Sequence, residues 1–334
     1  GSVLCQHIFL TGRSDYPERG VVSVEDGECS VTYSRLGLPC PTVAPTVAYG
    51  APGVEKDNMA YSYAYQYENA FGERSALSPG SPVTMQTDGS VNSISGWTVP
   101  ALSWGVTKVR IFRTVAASDA QAAKLTPSNA LDTTWMLVGE AAIGGTFVDS
   151  SWADELAEAA EEDVVLPPPD NLQGITWIES KNILMGFVGR RVYFTQNYQY
   201  HNWSLFFDLD DNVRAICESG DVYILTDGSP YVFRETTPVK LPKRMPMAAY
   251  GNRHVAPLAG GVVYPTHDGM AALSGNSAPA LITQALYAPD DWQRLRPDTV
   301  IPAVHQDKLF VFARGGSFVM DVNPSTGWQL DTHS

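Results

Sequence analysis

The C-terminal half of the chain alternates short apolar runs with small clusters of Gly, Asp, Ser and Pro. Residues 222–225 form one β-branched and aromatic run and 231–234 a second. Asp227-Gly228-Ser229-Pro230 between them has turn chemistry, because Gly tolerates positive φ, Asp bonds its own backbone and Pro starts the next strand. Similar hairpins are written at 189–195, 261–274 and 307–321. Their turn glycines, Gly189, Gly228, Gly269 and Gly315, recur at the interval of a four-stranded propeller blade. Strands are also expected at 174–178, 183–189, 192–196, 215–218, 301–305, 309–313, 318–321 and 328–330. One helix is expected at 289–295, with Pro289 in its first turn and Asp290 and Asp291 at its positive end.

The N-terminal half is patterned differently. Strand-like pieces at 3–10, 20–24 and 29–34 lead into Leu38-Pro39-Cys40-Pro41 and on to Pro45, a proline-stiffened linker that marks a first boundary. From 59 to 67 the alternation sets Tyr61, Tyr63, Tyr65 and Tyr67 on one strand face and Ser62, Ala64 and Gln66 on the other. The tyrosine stripe suits a face packed sheet on sheet better than a ligand platform. Further short strands at 83–86, 93–98, 108–114, 134–138 and 146–149 describe a β-sandwich. Ser151 with Asp154 predicts a short, frayed helix over 151–163, because the six acids Asp154, Glu155, Glu158, Glu161, Glu162 and Asp163 have no base among them. Leu166-Pro167-Pro168-Pro169 is a rigid strut and the second boundary. The reading is therefore all-β: propeller-like repeats from residues 1–41 and 166–334, with an immunoglobulin- or fibronectin-type-III-like sandwich inserted at 42–165.

Composition narrows the function classes. Of 334 residues 44% are hydrophobic and only 17% charged, which suits cores wrapped in polar, uncharged turns. The formal charge is −14, and residues 42–165, with 6 basic and 15 acidic residues, carry 9 of that excess. Such a balance argues against nucleic-acid binding, which needs basic residues to displace counterions, but suits a surface that DNA must slide past. No apolar run reaches the roughly 20 residues of a membrane span, and no signal peptide is visible. Gly1-Ser2 reads as a tag-cleavage remnant, and on that reading the natural protein begins upstream. Cys5, Cys29, Cys40 and Cys217 have no Cys-x-x-Cys spacing; they read as scattered free thiols, with a Cys5–Cys29 bridge as the alternative.

No catalytic apparatus emerges. Asp208-Leu209-Asp210-Asp211-Asn212 offers closely spaced oxygens, but an EF-hand counted from Asp208 would need Gly at Val213 and Glu at Ser219, so a solvated turn is expected. Tyr198, Tyr200, His201 and Trp203 can stack on a sugar or fill a core. His254, His267 and His305 lack zinc spacing, and Lys240, Lys243 and Arg244 read as ordinary loop charges. A glycoside hydrolase would need two of Asp208, Asp210, Asp221 and Asp268 facing one cleft. No catalytic residue, cofactor or metal ligand is assigned.

The order of several short motifs carries a family resemblance. Arg35-Leu36-Gly37-Leu38-Pro39 is followed by Tyr65 and Tyr67, Ala70-Phe71-Gly72-Glu73 and Ser78-Pro79-Gly80-Ser81-Pro82. Then come Val109-Arg110-Ile111-Phe112-Arg113, Thr146-Phe147-Val148-Asp149, the proline strut, Asp170-Asn171-Leu172 with Gly174, Gly186 with Gly189, and Val192-Tyr193-Phe194-Thr195. The series resembles virion structural proteins of tailed bacteriophages, in particular the tail tubular protein B, or nozzle, of short-tailed phages. That resemblance implies a non-enzymatic tail part, assembled in the host cytoplasm. It would form a ring with copies of itself, line the DNA channel and dock other tail proteins, fibres or the host surface. Nozzle proteins are commonly much longer than this chain. The alternative is a receptor- or glycan-binding module of the tail.

Overall fold

The computed structural model describes residues 6–25, 28–50, 58–87, 89–114, 134–156, 158–160, 164–258, 260–306, 308–321 and 329–330. Cys5, Glu161, Glu162, Asp163, Asp307 and Trp328 lie outside them, as does the expected start of the first strand. The fold is all-β, with many small antiparallel sheets. The chain divides into two compact units: residues 1–10, 16–169 and 201–204 in the first, and 11–15, 170–200 and 205–334 in the second.

The first unit opens with β1 (Gln6–Leu10), β2 (Glu18–Glu25) and β3 (Glu28–Arg35), which form a sheet of their own. Then follow β4 (Thr46–Tyr49), β5 (Asn58–Tyr61), β6 (Tyr63–Asn69), β7 (Thr84–Thr87), β8 (Asn92–Ser95), β9 (Val106–Thr114), β10 (Trp135–Ala142) and β11 (Phe147–Asp149). They make sheets ordered β10-β9-β6 and β11-β8-β4, with β5 and β7 as a two-stranded pair. The tyrosine stripe lies between sheets as expected: Tyr61, Tyr63, Tyr65 and Tyr67 pack with Ile94, Trp97, Val109 and Ile111. The opposite face of β6 is also buried, on Phe112 and Trp135 through Ala64, so the strand is not half-exposed.

What lets β6 bury both faces is the treatment of its free edge. Ser75, Ser78 and Ser81 run antiparallel beside it, three residues of one segment for two of the other. Their N–H groups donate to the carbonyls of Tyr67, Tyr65 and Tyr63 at 3.0, 2.8 and 2.8 Å. In return each serine Oγ accepts the N–H of the same tyrosine at 2.9–3.0 Å. Every ladder group on that edge is thereby satisfied without a regular strand.

Three expectations for this unit are corrected. The 151–163 helix is a single 3-10 turn, Ala153–Glu155, whose Glu155 carboxylate accepts the Trp152 N–H at 2.9 Å. Residues 158–160 run extended along β10, with Leu137 N–H bonded to Glu158 O and Ala160 N–H to Trp135 O. Extension carries the Glu158 carboxylate to Arg110, 2.5 Å away, and that bond holds its pKa below the usual carboxylate range. A helix would instead have stacked it against its acidic neighbours. Residues 1–41, expected to complete the propeller, contribute no strand to its four sheets among the described residues. Arg19, almost fully buried, donates to Glu73 at 2.6 Å and stacks 4.0 Å from the Phe71 ring, fastening the N-terminal sheet to the Ala70–Glu73 loop. The supposed linker is packed as well: Leu36 and Leu38 are buried, and a Cβ on Gly37 would meet Pro167 at 3.0 Å.

In the second unit each group of four successive strands is one antiparallel meander. The first sheet holds β12 (Gln173–Ile178), β13 (Ile183–Val188), β14 (Arg191–Phe194) and β15 (Leu205–Asp208). The second holds β16 (Val213–Ser219), β17 (Asp221–Thr226), β18 (Tyr231–Arg234) and β19 (Thr237–Lys240). The third holds β20 (Ala256–Leu258), β21 (Gly261–Pro265), β22 (Met270–Ser274) and β23 (Ala280–Leu281). The fourth holds β24 (Ile301–His305), β25 (Lys308–Ala313), β26 (Gly316–Asp321) and β27 (Gln329–Leu330). Gly189, Gly228, Gly269 and Gly315 all fall between the second and third strands of their sheets, so the repeat read from turn chemistry is the repeat of the fold.

Cores lie between consecutive sheets, as in propeller blades. Met185, Phe187, Ile216 and Ile224 join the first two. Tyr223, Val232, Tyr264 and Leu273 join the second and third. Val263, Met270, Leu309 and Val311 join the third and fourth, together with Trp292 of α1 (Pro289–Arg294). Each such side chain contributes about 1.5–3 kcal/mol on burial.

Candidate functional site

The Asp208–Asn212 oxygens do not converge. Asp208 takes a two-point bond from Arg191, at 2.8 Å for each oxygen, across the β14–β15 pair. Asp210 accepts from Lys240 at 2.7 Å and from the Tyr231 hydroxyl at 3.3 Å. Asp211 turns to the Ser229 N–H at 3.2 Å, and Asn212 donates to Asp227 at 2.9 Å. The run is the crossing from first to second sheet, and its polar side chains are spent on protein partners, with Lys240 also 3.9 Å from Asp211. Among the described residues no three His, Cys, Asp or Glu side chains gather as a metal would need.

Three of the four acids considered for glycoside hydrolysis sit in cross-strand or crossing ion pairs. The hydrogen bonds from Arg191, Lys240 and Arg234 hold Asp208, Asp210 and Asp221, respectively, below the usual carboxylate range. A general acid needs the opposite shift. His254 is buried with Nδ1 2.6 Å from the Val300 carbonyl. His267 offers its carbonyl to Gln293, and His305 is exposed on β24. Of the basic loop residues, Lys240 is bound to Asp210, Lys243 is exposed and Arg244 donates to the Asp227 carbonyl at 3.5 Å. Trp203 is buried in the first unit, its N–H bonded to the Leu166 carbonyl at 2.8 Å, and is core rather than platform. His201, in the same unit, lies 3.7 Å from Glu73. In the second unit Tyr198 is exposed and Tyr200 meets the edge of Trp177 at 5.5 Å.

Cys29 is a free, exposed thiol; Cys5, its partner in the alternative reading, lies outside the described residues. Cys40 and Cys217 are free as well, and burial pushes the Cys217 thiol up to about 11. That is the direction of an inert thiol.

The fourth acid, Asp268, does line a cavity, one of about 570 Å³ in the second unit. It stands on the β21–β22 turn. There Thr266 bonds Gly269 O through both its N–H and its Oγ1 at 2.8 Å, and its Oγ1 accepts the Asp268 N–H at 3.2 Å. Gly269, at φ +154°, has Thr283 Oγ1 2.7 Å from where a Cβ would stand, so a side chain there would break the Thr283 bond to Met270 N–H. The far wall is Gln284, Leu286 and Tyr287. The Tyr287 ring is held by Phe318 at 5.0 Å and Trp292 at 6.2 Å, while the Trp292 indole donates to Thr266 O at 3.0 Å. One carboxylate, one amide and one fixed phenol ring can hydrogen-bond and stack on a polyol. Sequence reasoning had Asp268 among its acids but missed Gln284 and Tyr287, which lie in a segment without alternation.

A second, shallower groove of about 410 Å³ opens beside the first two sheets. Phe194, Leu205 and Phe233 line it, with Lys181 and Glu235 at its rim. The Phe207 ring stacks on Phe233 at 5.3 Å beneath it, and the Lys181 ammonium lies 5.6 Å from the Phe233 ring.

No family model matches the chain, and no curated protein matches it. Among solved structures it is similar to the AfRom2 CNH domain, at 11% identity and a TM-score of 0.34, over 59% of this chain and 65% of that one. It is also similar to the extracellular domain of the putative one component system BT4673 from B. thetaiotaomicron. There the identity is 11% and the TM-score 0.34, over 82% of this chain and 39% of the other. AztD from Citrobacter koseri is similar at 13% identity and a TM-score of 0.32, over 95% of this chain and 91% of that one. Likenesses this distant carry no assignment of function.

Proposed function

We propose that the chain is a non-enzymatic structural part of a bacteriophage tail, resembling the nozzle proteins of short-tailed phages. The observation that carries this reading is the order of the motifs from Arg35 to Thr195. In the described structure those motifs do structural work. The Ala70–Glu73 loop anchors Arg19, Ser78 and Ser81 close the β6 edge, and Arg113 pairs with Asp149 in the core. A protein whose distinguishing residues are spent on scaffold works through shape and contacts. The acidic balance fits a channel part that does not retain DNA, since few basic residues means few counterions released. Mass spectrometry and cryo-electron microscopy of purified particles test this. The protein should be present at fixed copy number within the tail, and its absence from particles would overturn the reading.

The second reading, a glycan-binding module, rests on the Asp268, Gln284 and Tyr287 cavity. A glycan array separates the two. Binding abolished by Asp268→Asn together with Tyr287→Ala would favour the module.

A further inference from the structure

A sheet edge exposes a row of backbone N–H and C=O groups, and folds cover or blunt such edges. Here most are treated visibly. The β6 edge is closed by Ser75, Ser78 and Ser81, and that of β10 by residues 158–160. On β19, four residues long, Pro238 and Lys240 blunt the edge, and β20 and β24 carry Pro257 and Pro302. The register of β12 is bulged, and β23 and β27 are two residues each.

Of the edge strands without such treatment, β3 is the longest among the described residues. It is eight residues long and, among the described residues, pairs only with β2. Its register with β2 is unbroken from Arg35 to Glu28, and it contains no Pro and no Lys. Residues 28–33 are all exposed, with Val31 on the same apolar face as Val22.

The direction of its backbone groups follows from one hydrogen bond. Leu36 N–H donates to Pro17 O at 2.9 Å, in step with the β2–β3 register, so 17/36 is a hydrogen-bonded pair. Such pairs alternate along an antiparallel ladder. Ser34, Thr32, Ser30 and Glu28 therefore bond inward to β2, while Val31 and Cys29 aim their N–H and C=O groups away from it. Toward its C-terminal end β3 is occupied: Ser34 lies against Gly105, and the Arg35 guanidinium sits between the Tyr16 and Trp104 rings at 4.3 and 3.9 Å. The open stretch is thus 28–32.

We propose that this edge pairs antiparallel with the same edge of a second copy, about a two-fold axis at Ser30. Outward groups can bond only outward groups, so odd-numbered positions must face odd-numbered ones. The two-fold at Ser30 sets Val31 opposite Cys29 of the other copy and Cys29 opposite its Val31. Both are on the apolar face, so that face continues across the junction, and Glu28 meets Thr32 rather than another acid. The stretch is complementary to itself, which an unrelated strand would match only by accident. A two-fold contact closes on two copies and cannot build a ring, so it is a different surface from any head-to-tail ring contact.

The test uses the full chain in sedimentation velocity over a dilution series, with amide exchange read at Val31. Val31→Pro removes an outward N–H and leaves the bonds to β2 in place. Val31→Lys adds a charge without touching the backbone and serves if the proline variant does not fold. The wild type should dimerise at micromolar concentration with Val31 N–H protected only in the dimer. A folded variant should raise the dissociation constant roughly tenfold or more, with the melting temperature little changed. A wild type that stays monomeric throughout, variants that dimerise as tightly as it does, or a Val31 amide that exchanges equally in monomer and dimer would each overturn the proposal.

Discussion

Arg113 and Asp149 are the pair on which the interior of the first unit depends. Both side chains are fully buried and 2.7 Å apart. The Tyr63 hydroxyl donates to the same carboxylate oxygen at 2.8 Å, Asn92 donates to Tyr63 at 2.9 Å, and the Tyr61 ring lies 4.3 Å from the guanidinium carbon. Burial, and then the neighbouring carboxylate, keep the Tyr63 phenol protonated well above the ordinary tyrosine range, so it remains a donor. Removing one member of a buried pair strands the other, at a cost of about 3–5 kcal/mol, whereas replacing both with apolar groups is often tolerated. Asp149→Asn should therefore lower stability by about that amount in denaturant unfolding. Arg113→Met combined with Asp149→Leu should cost less than the single change. A single variant within about 1 kcal/mol of wild type would mean that water reaches the site. None of this was legible in the sequence. Tyr63 stood out through its alternation, but Asp149 lies 86 residues away and pairing at that distance leaves no local mark.

At the scale of elements, what was legible is what is local. Turn chemistry at Gly189, Gly228, Gly269 and Gly315 placed four sheets, because a tight turn constrains only its own few residues. The Pro289-Asp290-Asp291 start placed α1 for the same reason. The misreadings fell where an element is defined by a distant partner. Residues 158–160, Glu-Ala-Ala, fall within the expected helix, but Arg110 on β9 and the edge of β10 draw them out straight. No strand was expected over residues 75–81, since a period of three matches neither strand nor helix, yet the segment completes a sheet. Each serine Oγ there is the acceptor for a buried tyrosine N–H, so truncation leaves that donor unsatisfied. Ser78→Ala should cost about 1–3 kcal/mol in chemical denaturation, while an exposed serine such as Ser277→Ala should stay near zero. Equal effects at the two positions would show that the Ser78 hydroxyl is dispensable to the β6 edge.

For the whole molecule, the sequence placed a boundary where prolines cluster, and the structure shows that proline density alone does not mark one. Leu166 to Pro169 does precede the first strand of the second unit, at Gln173. The run from Leu38 to Pro45 looked identical in kind but is packed, with Cys40 Sγ donating to Val165 O at 3.6 Å and Leu38 buried. The two halves of the chain therefore divide differently for folding than their composition implies. A fragment cut at the sequence boundaries, 42–165, would lose Arg19 from beneath Glu73 and expose the surface that Leu36 and Leu38 cover. A fragment of residues 16–169 keeps them. If the structural division is the physical one, 16–169 should unfold in a single cooperative transition at a higher temperature than 42–165, read by circular dichroism and calorimetry. Two buried leucines alone contribute several kcal/mol at about 1.5–3 kcal/mol each, and in a domain of this size about 1 kcal/mol moves the midpoint by a few degrees, so the gap should be plain. Equal midpoints would return the boundary to Pro41 and leave the N-terminal sheet a passive appendage.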